Sequence, residues 1–81
     1  MERTTYSEKE WLDIFADNLR EAIEEQGYTH TEFAKAVGIP KSTLSRYLNK
    51  ERMPSIKFII NASYELNIDY MELIDFGGRI E

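Results

Sequence analysis

The chain contains no cysteine and only one histidine, His30. The first absence rules out disulfides and thiolate-bound zinc, and it suits a reducing compartment. With a single imidazole, no multi-histidine metal site can form, so no metal and no other cofactor is expected. Long apolar runs are missing too. Nothing approaches the roughly 20 residues needed to cross a bilayer. The stretch from Met1 to Trp11 is polar and of mixed charge, without the apolar run of a signal peptide, so a cytoplasmic location with no membrane partner is expected. There is no internal repeat, low-complexity tract or linker. No segment alternates with period two, which argues against strands. A glycine-rich phosphate loop is absent, and so is any partner histidine for a serine or aspartate. Adjacent carboxylates such as Glu24 and Glu25 point to different parts of a helix and cannot flank a substrate. No enzyme is expected, and no small-molecule site is evident.

What remains is a chain of 81 residues, 42% apolar and 31% charged. That predicts one globular domain over residues 1–81, with a core from about residue 8 to 76 and a frayed tail over 77–81. These 81 residues are too few to include a second, ligand-sensing domain, so either a minimal protein or one part of a larger one is expected. The net charge of −5 is unevenly spread: residues 1–25 carry −5, residues 26–58 carry +4 and residues 59–81 carry −4. Positive charge is therefore concentrated in the middle third. It marks either an ordinary solvated face or a surface for an anionic partner.

Periodicity and caps predict five helices. The first runs from about Glu8 to Gln26. It opens on a capping box at Ser7–Glu10, buries Trp11, Phe15, Leu19, Ala22 and Ile23, and stops at Gly27. The second, His30 to Val37, opens on the box Thr29–Glu32, buries Phe33, Ala34 and Val37, and stops at Gly38. The third, Lys41 to Asn49, follows Pro40, whose missing N–H costs nothing at a helix start. Leu44, Tyr47 and Leu48 form its apolar face. The fourth, Ile56 to Leu66, is capped by Ser55 and ended by Asn67, with Ile59, Ile60, Ala62, Ser63 and Leu66 on its apolar side. A short fifth runs from about Tyr70 to Ile74.

The informative stretch is His30 to Leu48. Two short helices meet across Gly38 and must cross steeply in a tight turn. Gly38 supplies a positive φ, Ala34 allows close approach, and Phe33, Val37, Ile39, Leu44 and Tyr47 lock the pair onto the core. On the third helix, at about 100° per residue, Lys41, Ser42, Ser45, Arg46 and Asn49 fall within an arc of about 140°, opposite Leu44, Tyr47 and Leu48. Lys41 and Arg46 match guanine O6 and N7, and serine serves several bases. Any surface helix can carry such residues outside; the turn in front of this one favours reading DNA.

The run Tyr28-Thr29-His30-Thr31-Glu32-Phe33-Ala34-Lys35-Ala36-Val37-Gly38-Ile39-Pro40-Lys41-Ser42-Thr43-Leu44-Ser45-Arg46-Tyr47-Leu48 resembles the Cro/phage-repressor, or XRE-like, family of DNA-binding domains. The resemblance extends from about Phe15 to Ile74. It implies an all-α, five-helix, lambda-repressor-like fold whose third helix lies in the major groove. The function implied is a sequence-specific, repressor-like transcriptional regulator, often a dimer on a palindromic operator. On this resemblance Lys41, Ser42, Ser45 and Arg46 read bases. Thr29 and His30, at the start of the second helix, meet phosphate, and so do Asn49, Lys50 and Arg52 after the third; Lys57 is a lesser candidate. The protein alone is expected to be a weak homodimer, joined near the fourth and fifth helices with Ile74 and Phe76 as candidates. Relatives often place an arginine and a glutamate where this chain has Ile23 and Leu48. Both have become apolar together, a coherent exchange of a buried ion pair for an apolar pair. The rival reading is an acidic interaction module on the same fold, antirepressor- or antitoxin-like. The net charge favours it, and the basic outer face of the third helix speaks against it.

Overall fold

The computed structural model describes residues 7–69 and Leu73. Four α-helices cover them: α1 Glu8–Glu25, α2 His30–Val37, α3 Lys41–Leu48 and α4 Ile56–Glu65. No strand occurs among the described residues, and none of their helices is long and apolar enough to cross a membrane. The expected fifth helix and the tail fall outside the described residues, except Leu73. That side chain is buried in the core, and its carbonyl accepts a 3.0 Å hydrogen bond from Asn18 Nδ2 of α1.

Local chemistry sets where the helices begin. Ser7 Oγ accepts from the Glu10 amide at 3.1 Å while the Glu10 carboxylate accepts from the Ser7 amide at 3.0 Å. Thr29 and Glu32 repeat the arrangement at 3.1 and 2.9 Å. Ser55 Oγ caps α4 by accepting from the Phe58 amide at 3.1 Å. In each case a side chain satisfies amides that the first helical turn leaves unpaired.

All four helices end alike, with two crossed backbone hydrogen bonds around one left-handed residue. After α1 the Tyr28 amide reaches Ile23 O at 3.2 Å and the Gly27 amide reaches Glu24 O at 3.0 Å. The left-handed positions are Gly27, Gly38, Lys50 and Asn67, with φ of 81, 77, 66 and 58°. Glycine and asparagine suit that region. Lysine at Lys50 does not, because its Cβ crowds the following carbonyl.

The core gathers Phe15, Leu19 and Ile23 from α1, Phe33 and Ala34 from α2, and Leu44, Tyr47 and Leu48 from α3; Phe58, Ala62 and Leu66 of α4 close it together with Leu73. Trp11, Ala22 and Val37 are only partly buried. Leu12 and Ala16 widen the buried face of α1 beyond its expected stripe. On α4 the expected face is corrected. Ile60 is 53% exposed and Phe58 is buried in its place. This helix carries two apolar stripes at i, i+4, i+8 spacing, and only one can face the core. Phe58, Ala62 and Leu66 win, because the Phe58 ring packs on Tyr47 at a centroid distance of 4.6 Å.

Tyr28, in the loop after α1, packs edge-on against Phe33 and donates its hydroxyl to Glu65 of α4. That hydrogen bond, then burial, then the charges of Glu65 and Glu32 raise its pKa above 10.0. The neutral phenol is thus favoured by folding, so its contribution is complete below pH 10.0 and is lost as pH rises through the native value. Tyr28→Phe is expected to be less stable than the wild type at pH 7, with the gap narrowing by pH 11. Urea titrations of both proteins at the two pH values check this; a gap that widens with pH would contradict it.

Candidate nucleic-acid interface

Three residues, Gly38 to Pro40, separate α2 from α3. The turn works because Gly38 is left-handed at φ 77° and its amide and that of Ile39 close onto Lys35 O and Ala34 O, at 3.2 and 3.0 Å. Ala34 and Phe33 are buried under the crossing, and Ile39 packs partly against the core. Pro40 is the N-cap of α3, with φ −64° and ψ 147°, and makes no side-chain cap.

Buried Leu44, Tyr47 and Leu48 fix the rotation of α3. The opposite face then turns outward: Lys41, Ser42, Arg46 and Asn49 are exposed and Ser45 is half-buried. Among the described residues the side chains of Lys41 and Arg46 form no hydrogen bond or ion pair, so both cations are available. Arg20 Nη2 of α1 reaches across to the Leu48 carbonyl at 3.3 Å, pinning the last turn of α3 to the body of the domain.

At the start of α2, Thr29 is exposed and His30 half-buried. The capping box occupies the Thr29 and Glu32 amides, and the Phe33 amide closes onto Thr29 O at 2.9 Å. The His30 and Thr31 amides are the donors left to face outward. Such amides, with the helix dipole behind them, attract anions, and the Glu32 carboxylate already meets part of that demand.

Asn49, Lys50 and Arg52 lie together in the exposed loop after α3. Lys50 departs from the expectation of a free phosphate donor. Its ammonium sits 3.7 Å from Asp13 Oδ1 and 3.6 Å from Asp17 Oδ1, both on α1. Asp13 and Asp17 were not legible as partners. Their i, i+4 spacing places them on one helix face, but nothing local brings residue 50 back to it. Lys57 is exposed in the first turn of α4, beside a cleft that also contacts Gly38, Ile39 and Asn61.

Two short helices joined by a tight turn form a helix-turn-helix, and this arrangement recurs in known proteins. The sequence over residues 19–73 matches the model of the helix-turn-helix family HTH_3. The chain belongs to this family. No curated protein matches it in sequence. Several solved structures match this HTH_3 chain in fold. The SOS-response transcriptional repressor LexA from Eubacterium rectale is 24% identical, with 82% of this chain and 70% of that one covered and a TM-score of 0.76. The restriction-modification controller protein C.AhdI from Aeromonas hydrophila is 26% identical, with 76% and 94% covered and a TM-score of 0.73. An HTH_3 family transcriptional regulator from Vibrio cholerae is 15% identical, with 90% of this chain and 41% of that one covered and a TM-score of 0.80. The LexA and Vibrio likenesses speak for the fold alone. Family and fold together are those of DNA-binding transcription regulators, in agreement with the Cro/phage-repressor resemblance of the sequence.

Proposed function

We propose that this helix-turn-helix protein is a sequence-specific transcriptional regulator, repressor-like in action, that reads duplex DNA with α3 in the major groove. One observation carries the reading. The packing that buries Leu44, Tyr47 and Leu48 leaves Lys41, Ser42 and Arg46 outward on the helix that follows the Gly38 turn, with Ser45 at their side. Arginine and lysine there can donate to guanine O6 and N7, and serine adapts to several base edges. Thr29 and His30 at the start of α2, and Asn49 and Arg52 after α3, hold phosphates and so set the register of the reading helix. Lys50 joins them with two carboxylates at its side.

The regulator binds as a two-fold dimer on a palindromic site. One short helix touches too few base pairs to select a site in a genome; two copies a helical turn apart overcome this. The exposed stripe of α4 supports that arrangement. Ile56, Ile60 and Tyr64 are 75, 53 and 88% exposed and lie one turn apart. Such a patch suits a weak contact between copies, completed on DNA. Ile74 and Phe76, the other candidates, fall outside the described residues.

Selection of binding sites from a random duplex pool tests the reading. A palindromic consensus is expected, with affinity falling steeply as salt rises. Recovery of no consensus, with no salt-dependent binding, would overturn it in favour of an acidic interaction module. Arg52→Ala is expected to weaken every site about equally and to lower the salt slope by about one unit per half-site, since phosphates are alike at every step. A fluorescence-anisotropy titration at several salt concentrations reads this directly.

A further inference from the structure

Lys50 combines two features that point in one direction. It occupies the left-handed position that ends α3, φ 66°, where α1 and α2 use glycine and α4 asparagine. Its ammonium is held between Asp13 and Asp17 of α1, at 3.7 and 3.6 Å. A lysine kept where glycine costs least backbone strain is there for its side chain. That side chain is addressed to carboxylates on the neighbouring helix, on the loop assigned to the DNA backbone.

We propose that Asp13 and Asp17 act as an internal stand-in for a DNA phosphate, competing for Lys50 and so restraining sequence-independent binding to the duplex backbone. The proposal rests on the DNA-binding reading above. Two carboxylates and one ammonium leave this corner at −1. A phosphate approaching Lys50 therefore meets two carboxylates within the Debye length of about 8 Å at physiological salt. The other charges nearby are mixed, with the Arg20 guanidinium of α1 turned to the Leu48 carbonyl. The cleft beside Lys50 is lined by Glu8, Lys9, Glu51 and Arg52, two acids and two bases. The clasp is also loose enough to compete. Its side chains remain partly exposed, 39% for Lys50, 46% for Asp13 and 67% for Asp17, so the ion pairs are hydrated and readily exchanged. Lys50 is released where a phosphate brought up by the other donors holds it more strongly than the two carboxylates do. Any duplex must displace the two carboxylates before Lys50 reaches its phosphate, and so Asp13 and Asp17 restrain binding to the DNA backbone from outside the reading helix.

A double-mutant cycle on the full chain tests this. Asp13→Asn with Asp17→Asn removes both charges, is nearly isosteric and alters no buried position. The doubly substituted protein is expected to bind a random-sequence duplex about three- to tenfold more tightly per half-site, with a salt slope steeper by about one. Lys50→Gln is expected to lower affinity less in the wild type than in the doubly substituted protein, where it removes most of the gain. Two outcomes overturn the proposal while leaving the DNA reading intact. Either affinity for random duplex is unchanged without the two carboxylates, or the gain is equally large with and without Lys50, as a general charge effect would give. Absence of any salt-dependent duplex binding by the wild type overturns the reading of the interface, and this proposal with it.

Discussion

Leu48→Ala is expected to destabilise the fold by about 2–5 kcal/mol, the range for emptying a fully buried leucine site. Leu48 is 3% exposed, and it shares one core with Ile23, 0% exposed, and with Leu44, Phe33 and Leu19. Its backbone carbonyl keeps the hydrogen bond from Arg20, so the loss isolates the side chain. In a domain of this size each kcal/mol shifts the melting temperature by about 4–8 °C, so a large drop in melting temperature is expected. Denaturant titration checks the value; a loss below about 1 kcal/mol would show that the site collapses around the cavity. The same position tests the apolar exchange. Leu48→Glu alone leaves a buried carboxylate and is expected to cost more than Leu48→Ala, whereas combining it with Ile23→Arg is expected to recover part of that loss.

Much of this fold is legible because its signals are local. Two capping boxes, Ser55, and the terminators Gly27, Gly38 and Asn67 act within a few residues, and the structure places each where the sequence predicts. The burial of Ile23 and Leu48 follows from helical periodicity, as does the outward turn of Lys41, Ser42 and Arg46. Other features depend on what lies across the molecule. Phe58 displaces Ile60 from the core because α4 is apolar over two stripes and only Tyr47 decides between them. The left-handed lysine at Lys50 carries no glycine to announce it. Its pairing with Asp13 and Asp17 joins residues more than thirty apart, so it is invisible to any local pattern. The base and phosphate roles of the site residues come from exposure and charge on the outer face, read together with the family resemblance.

Arg46→Ala is the change expected to affect function most. Arg46 lies on the exposed face of α3, with no partner among the described residues to compete for its guanidinium. A bidentate donor to guanine contributes discrimination as well as affinity, so its removal is expected to cost about 1–3 kcal/mol and to relax preference at one or two base pairs. The side chain is exposed in the free protein, and the fold is expected to stay within about 0.5 kcal/mol of wild type, which thermal unfolding confirms or refutes. Arg52→Ala provides the contrast. It removes charge from the loop after α3 without touching base edges, so it weakens cognate and variant sites together.

The most direct test of α3 as the reading helix is competition binding of wild type and Arg46→Ala against a panel of single-base variants of the selected site. The two proteins are expected to rank the variants alike except at one or two symmetric positions, where Arg46→Ala no longer distinguishes the bases. An unchanged ranking at every position, with or without a uniform loss of affinity, would contradict the assignment of α3 to the major groove.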